Sequence, residues 1–431
     1  MSLQEHLGSA AVSRRSLLAG GLGLGGALAV GGLAGCGGGS GSGSQTITVG
    51  SSASDAVPKK ATAAIMQTYG QKNGATVKIN TVDHNTFQNQ INNYLQGTPD
   101  DVITWFAGYR MRFFAKKGLL GDISDIWNQV GSQFSPAMKK ASTGDDGKQY
   151  FIPLDNYAWA IFYRKSVFTQ HGYQVPTTWD QYVALSAKMQ KDGLPVAFAD
   201  QDGWPAFGTF DYLNMRINGY DFHVSLMAGK EAWDGPKVAK VFDTWKQILP
   251  YYQTGALGRT WQEAAQGLLQ KKAGMFLLGG FVSQQFTTKA DLDDLDFFPF
   301  PEIDSTVGTD AVEAPIDGYM MAKRPKNEAG AKKLLTYLSS AAAEQAYLKV
   351  DPSNIAVNNG ASTAGYNALQ KKQSELIAKA KSISQFLDRD ADPTFASTVA
   401  IPSFQEFLKN PNNIASTLKK MEQQKKSIYS E

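Results

Sequence analysis

Few residues of this 431-residue chain that could do covalent chemistry stand in a pattern that would let them do it. The single cysteine, Cys36, is held between Gly35 and Gly37, with no second thiol to pair with and no neighbouring base to activate it. The histidines (His6, His84, His171, His223) are scattered, and no His/Cys cluster has metal-ligand spacing, so no metal and no cofactor are expected. Acidic pairs occur at Asp100-Asp101, Asp145-Asp146 and Asp293-Asp294. A hydrolase of glycosides would set two carboxylates about 5–10 Å apart across the scissile bond, whereas adjacent aspartates in turns read as solvated caps. No Ser-His-Asp set stands out either, so an enzyme is not expected. Flat apolar surface is what the chain holds in quantity: 8 Trp and 17 Tyr, which need not all be core.

The thiol has a different use. Upstream of it, Arg14-Arg15 is followed by an uncharged Gly/Ala/Leu run as far as Cys36, the layout of an export signal. Ser13-Arg14-Arg15 with Leu17-Leu18 resembles a twin-arginine signal, and Leu33-Ala34-Gly35-Cys36 resembles a bacterial lipobox, cut before the cysteine. An amino-terminal transmembrane helix is the competing reading, but the run is glycine-laden and lacks a basic stop-transfer flank. Residues 1–35 are therefore expected to leave as a leader, with Cys36 carrying acyl chains that hold the protein on the outer face of the cytoplasmic membrane. Residues 36–44 then form anchor and Gly/Ser leash, with a reach of about 15 Å.

The body that follows has ordinary globular composition, 42% hydrophobic and 19% charged, and is long enough for two lobes. Losing Arg14, Arg15 and Glu5 with the leader takes the formal charge from +3 to about +2, which leaves no electrostatic footprint for nucleic acid. Thr46–Ser54 alternates as a strand, Lys59–Gly70 fits an amphipathic helix, "TVKINTV" a strand, "TFQNQINNYLQG" a helix and "PDDVITWFAG" a strand. That β-α-β-α-β rhythm predicts a largely parallel α/β lobe, with Ser51–Ser54, Asp83-His84 and Trp105-Phe106 on one rim beyond the strand ends. Further on, Tyr157–Tyr163 reads as an apolar strand, and Thr178 with Gln181 as a capping box opening a helix. Val238, Val241, Phe242, Trp245 and Ile248 share a helical face, and after "PIDGYMMAK" the chain turns helical nearly to its end.

Together these stretches resemble the extracellular solute-binding proteins of ABC importers, in the sugar-binding group that includes maltose-binding proteins. The likeness is carried by "GTPDDVITW" with "FFAKKGLLGDISDIW", "FIPLDNYAWAIFYRKSVF", "VPTTWDQYVALSAKM", "WQEAAQGLLQKKAGMFLLGGF" and "DGYMMAKRPKNEAGAKKLLTYL", in order from Gln45 to the carboxyl end. One departure is Arg164-Lys165 after Tyr163, where the family usually has Asn; Arg164 is expected to be a solvated strand end. The resemblance implies a two-lobed periplasmic-binding-protein fold of type II, each lobe a mixed, mostly parallel sheet flanked by helices, with the ligand in the interlobe cleft. The expected lobes are 45–156 plus 304–358 and 157–303 plus 359–431. The implied partners are a neutral di- or oligosaccharide and a membrane permease with its cytoplasmic ATPase, the protein acting as a monomer.

A sugar ligand presents C–H faces to aromatic platforms and a rim of hydroxyls to fixed donors and acceptors. On that basis the expected platforms are Trp105, Trp204, Trp261 and Phe281, followed by Tyr319 and Trp159. The expected rim is Asp155, Asn156, Asp211 and Asp317, with Gly279-Gly280 supplying backbone groups. Trp127, Trp179, Trp233 and Trp245 are expected to be packing. The rival cargo on the same fold is a polyamine, which would need an acid-rich cleft.

Overall fold

The computed structural model describes residues 46–430; the expected leader, the Cys36 anchor and the Gly/Ser leash lie outside the described residues. Among the described residues, eleven strands are distributed over three sheets. In chain order they are β1 (Thr46–Ser51), β2 (Thr76–Thr81), β3 (Val102–Phe106), β4 (Phe151–Asn156), β5 (Trp159–Arg164), β6 (Met275–Gly279), β7 (Leu295–Phe298), β8 (Ala311–Glu313), β9 (Ile316–Met321), β10 (Ile355–Ala356) and β11 (Ser382–Ser384).

The first sheet has the order β10-β4-β9-β3-β1-β2. Its pairings are parallel where the β-α-β rhythm predicts, β1 with β2 and with β3, and antiparallel where β9 enters between β3 and β4 and where β10 adds an edge. Ile47 and Val49 alternate into the core, where Ala61, Ile65, Met66 and Tyr69 of the helix Ala56–Asn73 cover them. The second sheet, β6-β5-β7, is antiparallel and fully buried along β5, with the helices Trp179–Lys191 and Pro205–Asn218 contributing to its core. A parallel pair, β8 with β11, forms the third.

The chain passes between the two main cores at three places. The first is Tyr157-Ala158, between β4 and β5. The second corrects the expected break at 303/304: β8 pairs with β11 and Ala311 packs in the second core, so the crossing is Ala314-Pro315. The third corrects 358/359, because Tyr366 packs in the first core and Leu369 in the second. No change of composition marks either shift.

Arg164 is also corrected. It is only 5% exposed and is enclosed rather than solvated. Its Nε donates to Asp294 (2.7 Å), its Nη2 to Asp291 (2.8 Å) and its Nη1 to the Leu269 carbonyl (2.5 Å), so it faces away from the cleft. A buried guanidinium needs these partners, because removing it from water unpaired would be costly.

Two features of the second lobe can be tested by stability. Gly208 lets the helix Pro205–Asn218 lie directly on Trp159: a Cβ there would meet the indole Cζ3 at 2.4 Å. Gly208→Ala should lower stability by about 1–3 kcal/mol through overpacking, read as a lower urea midpoint with unchanged slope. Asp200 Oδ1 accepts from the Ala206 N–H (2.9 Å), yet burial pushes this carboxyl up to about 8 from 3.8. A raised acid contributes stability that is fully present below the unfolded value and lost as pH rises through the folded one. The urea midpoint should therefore fall between about pH 4 and pH 8, and fall less in Asp200→Asn, which keeps an acceptor for Ala206.

Candidate functional site

Between the first and second sheets lies a cavity of about 350 Å³. The loops beyond the parallel strands supply one wall: Ser52 and Ser54 after β1, Asp83 and His84 after β2, Trp105 and Phe106 at the end of β3. The strand ends expected to share a rim do so. The N–H and hydroxyl of Ser52 both meet the Thr104 hydroxyl, at 2.9 and 3.1 Å, and Asp83 caps the helix His84–Gln96 by accepting from the Thr86 N–H (2.9 Å).

The opposite wall is aromatic. Phe281 stands edge-on to Trp261 (5.1 Å, 78°), Tyr157 (5.4 Å, 84°) and Trp159 (6.2 Å, 81°), and Trp204 meets Trp159 at 6.2 Å and 86°. Such near-perpendicular rings present faces in several directions, which suits a ligand with more than one apolar face. Local sequence explains their placement. Trp261 is the first residue of a helix opened by the Thr260/Glu263 capping box, and Trp204 immediately precedes Pro205 at the start of the helix Pro205–Asn218. Trp159 opens β5 directly after a crossing.

The floor carries the polar groups. Asp155, 1% exposed, lines the cavity, and its Oδ1 has no hydrogen-bond partner among the described residues. Burial first, then the carboxylates of Asp317, Asp351 and Glu344, push its acid well above the ordinary range, so it favours the neutral form. Asp317 accepts from Arg389 Nη1 (2.6 Å), and Arg389 Nη2 donates to the Tyr157 hydroxyl (2.9 Å). The same guanidinium lies 3.9 Å from the Phe106 ring centroid. Burial and the Arg389 charge together hold the His84 imidazole below its usual value.

Of the residues expected from sequence, Trp105, Asp155, Trp159, Trp204, Trp261, Phe281, Asp317 and Tyr319 line this cavity. Trp105 and Tyr319 are only 1% exposed, so they reach it by an edge of otherwise packed side chains. Four others do not line it. Asp211 lies within the helix that Trp204 precedes, seven positions and roughly 10 Å farther along the axis. It is fully buried, accepts from the Leu387 N–H (2.7 Å) and faces His223 at 3.9 Å. Asn156 closes β4 with its side chain buried at 2% exposure, outside the lining. Gly279 and Gly280 act by being small: a Cβ would meet the Phe281 ring at 2.4 Å and Gln373 Oε1 at 2.3 Å. Gly279 makes room for the Phe281 ring and Gly280 for Gln373, and neither lines the cavity. Trp127, Trp179, Trp233 and Trp245 are buried outside the lining.

The site also contains residues outside those expected: Tyr157, Phe386, Asp388 and Arg389. The last three come from the segment Gln385–Asp390, read from sequence only as part of a helical tail. Phe386 stacks on Trp159 at 4.7 Å and 30°, from a backbone φ of 106° that an aromatic residue adopts only where its surroundings enforce it. The aromatic-then-charged string "QFLDRD" was the one available signal.

Residues 50–345 match the family of bacterial extracellular solute-binding proteins. An ABC transporter extracellular-binding protein of Pyrococcus horikoshii is 24% identical over 328 residues, 75% of this chain and 71% of the relative. A probable sugar-binding periplasmic protein of Rhizobium meliloti is 23% identical, over 63% of this chain and 66% of its own. Among solved structures, the bacterial solute receptor AcbH, described as exclusively preferring β-D-galactopyranose, superposes with a TM-score of 0.87. It is 50% identical, and the match covers 89% of this chain and 99% of AcbH. The chain belongs to the bacterial extracellular solute-binding protein family, whose members bind solutes and are not enzymes.

Proposed function

We propose that this protein captures a neutral hexopyranose of the galactose class and delivers it to an ABC permease. The observation that carries this is the pairing of a wall of nearly perpendicular aromatic rings with a buried carboxyl that keeps one oxygen unpartnered. Pyranose C–H faces fit the rings, and a carboxyl accepts from a ring hydroxyl or bridges two of them. A volume of about 350 Å³ falls at the small end of the roughly 300–1,000 Å³ usual for ligand pockets, which favours one ring over the di- or oligosaccharide expected from sequence. The 50% identity to a galactopyranose receptor supports the same choice.

A cationic amine is the second reading, because several aspartates line the cavity. Their oxygens are largely engaged within the protein. Asp317 bonds Arg389, Asp388 faces Arg110, Asp351 accepts from Ser353 and Gln284, and Asp83 caps its helix. Asp55 accepts from Gln262 and Asp202 from Asn85 across the cleft, and burial holds Asp155 toward its neutral form, so fewer carboxylate oxygens are left free for an amine.

Ligand held between the lobes stabilises their closed arrangement, and the permease reads that arrangement. Cys36 keeps the protein beside the permease through its acyl chains. Galactose should raise the melting temperature of the purified protein, whereas spermidine should not; the gain should disappear in Trp204→Ala and shrink about tenfold in affinity or more in Asp155→Ala. A shift with amines alone would overturn the sugar assignment. Cys36→Ser should move the protein from the membrane fraction to the soluble one.

A further inference from the structure

A hydrogen bond between the lobes stands where the cavity meets a smaller neighbouring space. Asn85 Nδ2, from the first turn of the helix His84–Gln96, donates to Asp202 Oδ1 at 2.8 Å. Both side chains line the cavity, and together with Gln88, Trp204 and Asp388 they also line a smaller space of about 50 Å³. That second space includes exposed Asn89 and part-exposed Ser397 and Ile401, so it leads outward.

We propose that the Asn85–Asp202 bridge is the end wall of the site and limits the ligand to one pyranose ring. This rests on the sugar reading above. Three further observations support it.

Both halves of the bridge stand on fixed supports. Asn85 follows the capped start of its helix, where Asp83 accepts from the Thr86 N–H. Asp202 sits beside Gly203, whose φ of +78° only glycine adopts freely and against whose Cα the Ile401 side chain packs; a Cβ there would meet Ile401 at 2.3 Å. Gln405 Nε2 also donates to the Asp200 carbonyl (2.9 Å), tying the same loop to the Ile401 helix. A wall built this way does not yield readily to a ligand pressing on it.

The space beyond is furnished for a hydroxylated group. Arg110 Nε and Asp388 Oδ1 belong to residues that line it, each at least nine-tenths buried, and neither atom has a partner among the described residues. Both atoms are enclosed as the site stands, and removing a bridge side chain would open the space so that a second sugar ring or water could reach this donor and acceptor.

The wall is also redundant for closure. Gln262 Nε2 donates to Asp55 Oδ1 (3.1 Å) and Gln284 Nε2 to Asp351 Oδ2 (3.1 Å), so other bonds between the lobes persist when the bridge is cut.

The test is calorimetric titration of the native protein, Asn85→Ala and Asp202→Ala with galactose, and with lactose, melibiose and the galactobioses as disaccharides. The native protein should bind galactose and reject every disaccharide by roughly a hundredfold or more. At least one variant should keep galactose within about tenfold and bring one disaccharide to comparable affinity. Native protein that binds disaccharides as well as galactose overturns the proposal and leaves the sugar reading intact. So do variants that hold galactose but gain nothing. Folded variants that both lose galactose show the bridge to be a closure contact and not a length limit, which also overturns it. No binding of any of these sugars by the native protein overturns the sugar reading itself, and this proposal with it.

Discussion

The base of the cleft depends on where one buried positive charge is satisfied. Arg389 is 7% exposed, and a guanidinium removed from water that far must find an anion, hydrogen-bond acceptors or a ring face. It finds all of them: the Asp317 carboxylate, the Tyr157 hydroxyl and the face of Phe106. These belong to β9, to the β4–β5 crossing and to the end of β3, three segments far apart in sequence. Holding them around one cation fixes the floor on which Asp155 lies. The segment that carries Arg389 accepts backbone strain at Phe386 to reach this place. It is secured there by Asp390, which accepts from the Gln385 N–H, and by Gln385, which accepts from the Ile316 N–H.

The aspartates of the site show how burial and partner choice decide character more than residue type does. Asp317 is ion-paired, Asp83 is a helix cap, and Asp155 is held toward its protonated form. A cavity lined by acids can thus present hydrogen-bonding edges with little net charge. Deeper in the second lobe Asp211 and Glu313 meet; burial and mutual repulsion raise the Glu313 acid well above its usual value, against the smaller pull of Arg389. Carboxyls in that state act as neutral polar groups of the core.

Patterns with a local cause were legible in the sequence. The period-two and period-3.6 alternation placed β1 to β3 and their helices, and topology then put the residues after those strands on one rim. Trp204 could be singled out by its Gly/Pro loop and Trp261 by its place in a loop just ahead of a helix, positions from which a side chain is free to project. What failed had no local cause. Asp211 looks like any polar residue near an aromatic, and only the roll of its helix turns it into the lobe. Gly279-Gly280 was legible as a close approach, but what approaches is the Phe281 ring and Gln373, not a ligand. Phe386 and Arg389 are recruited by tertiary packing alone, and the shift of the second crossing follows from the pairing of β8 with β11, more than sixty residues away.

Asp155 stands just before the first crossing, Tyr157 is part of it, and Asp317 stands just beyond the second. Were the halves to turn about those two strands, such a floor would scarcely travel while the outer lips swept farthest, as with any lever near its fulcrum. The Asp55–Gln262 and Asn85–Asp202 contacts join the two halves and would part as they opened. A bound molecule gripping the floor would then be felt chiefly as a displacement of the lips, and the geometry would act as an amplifier.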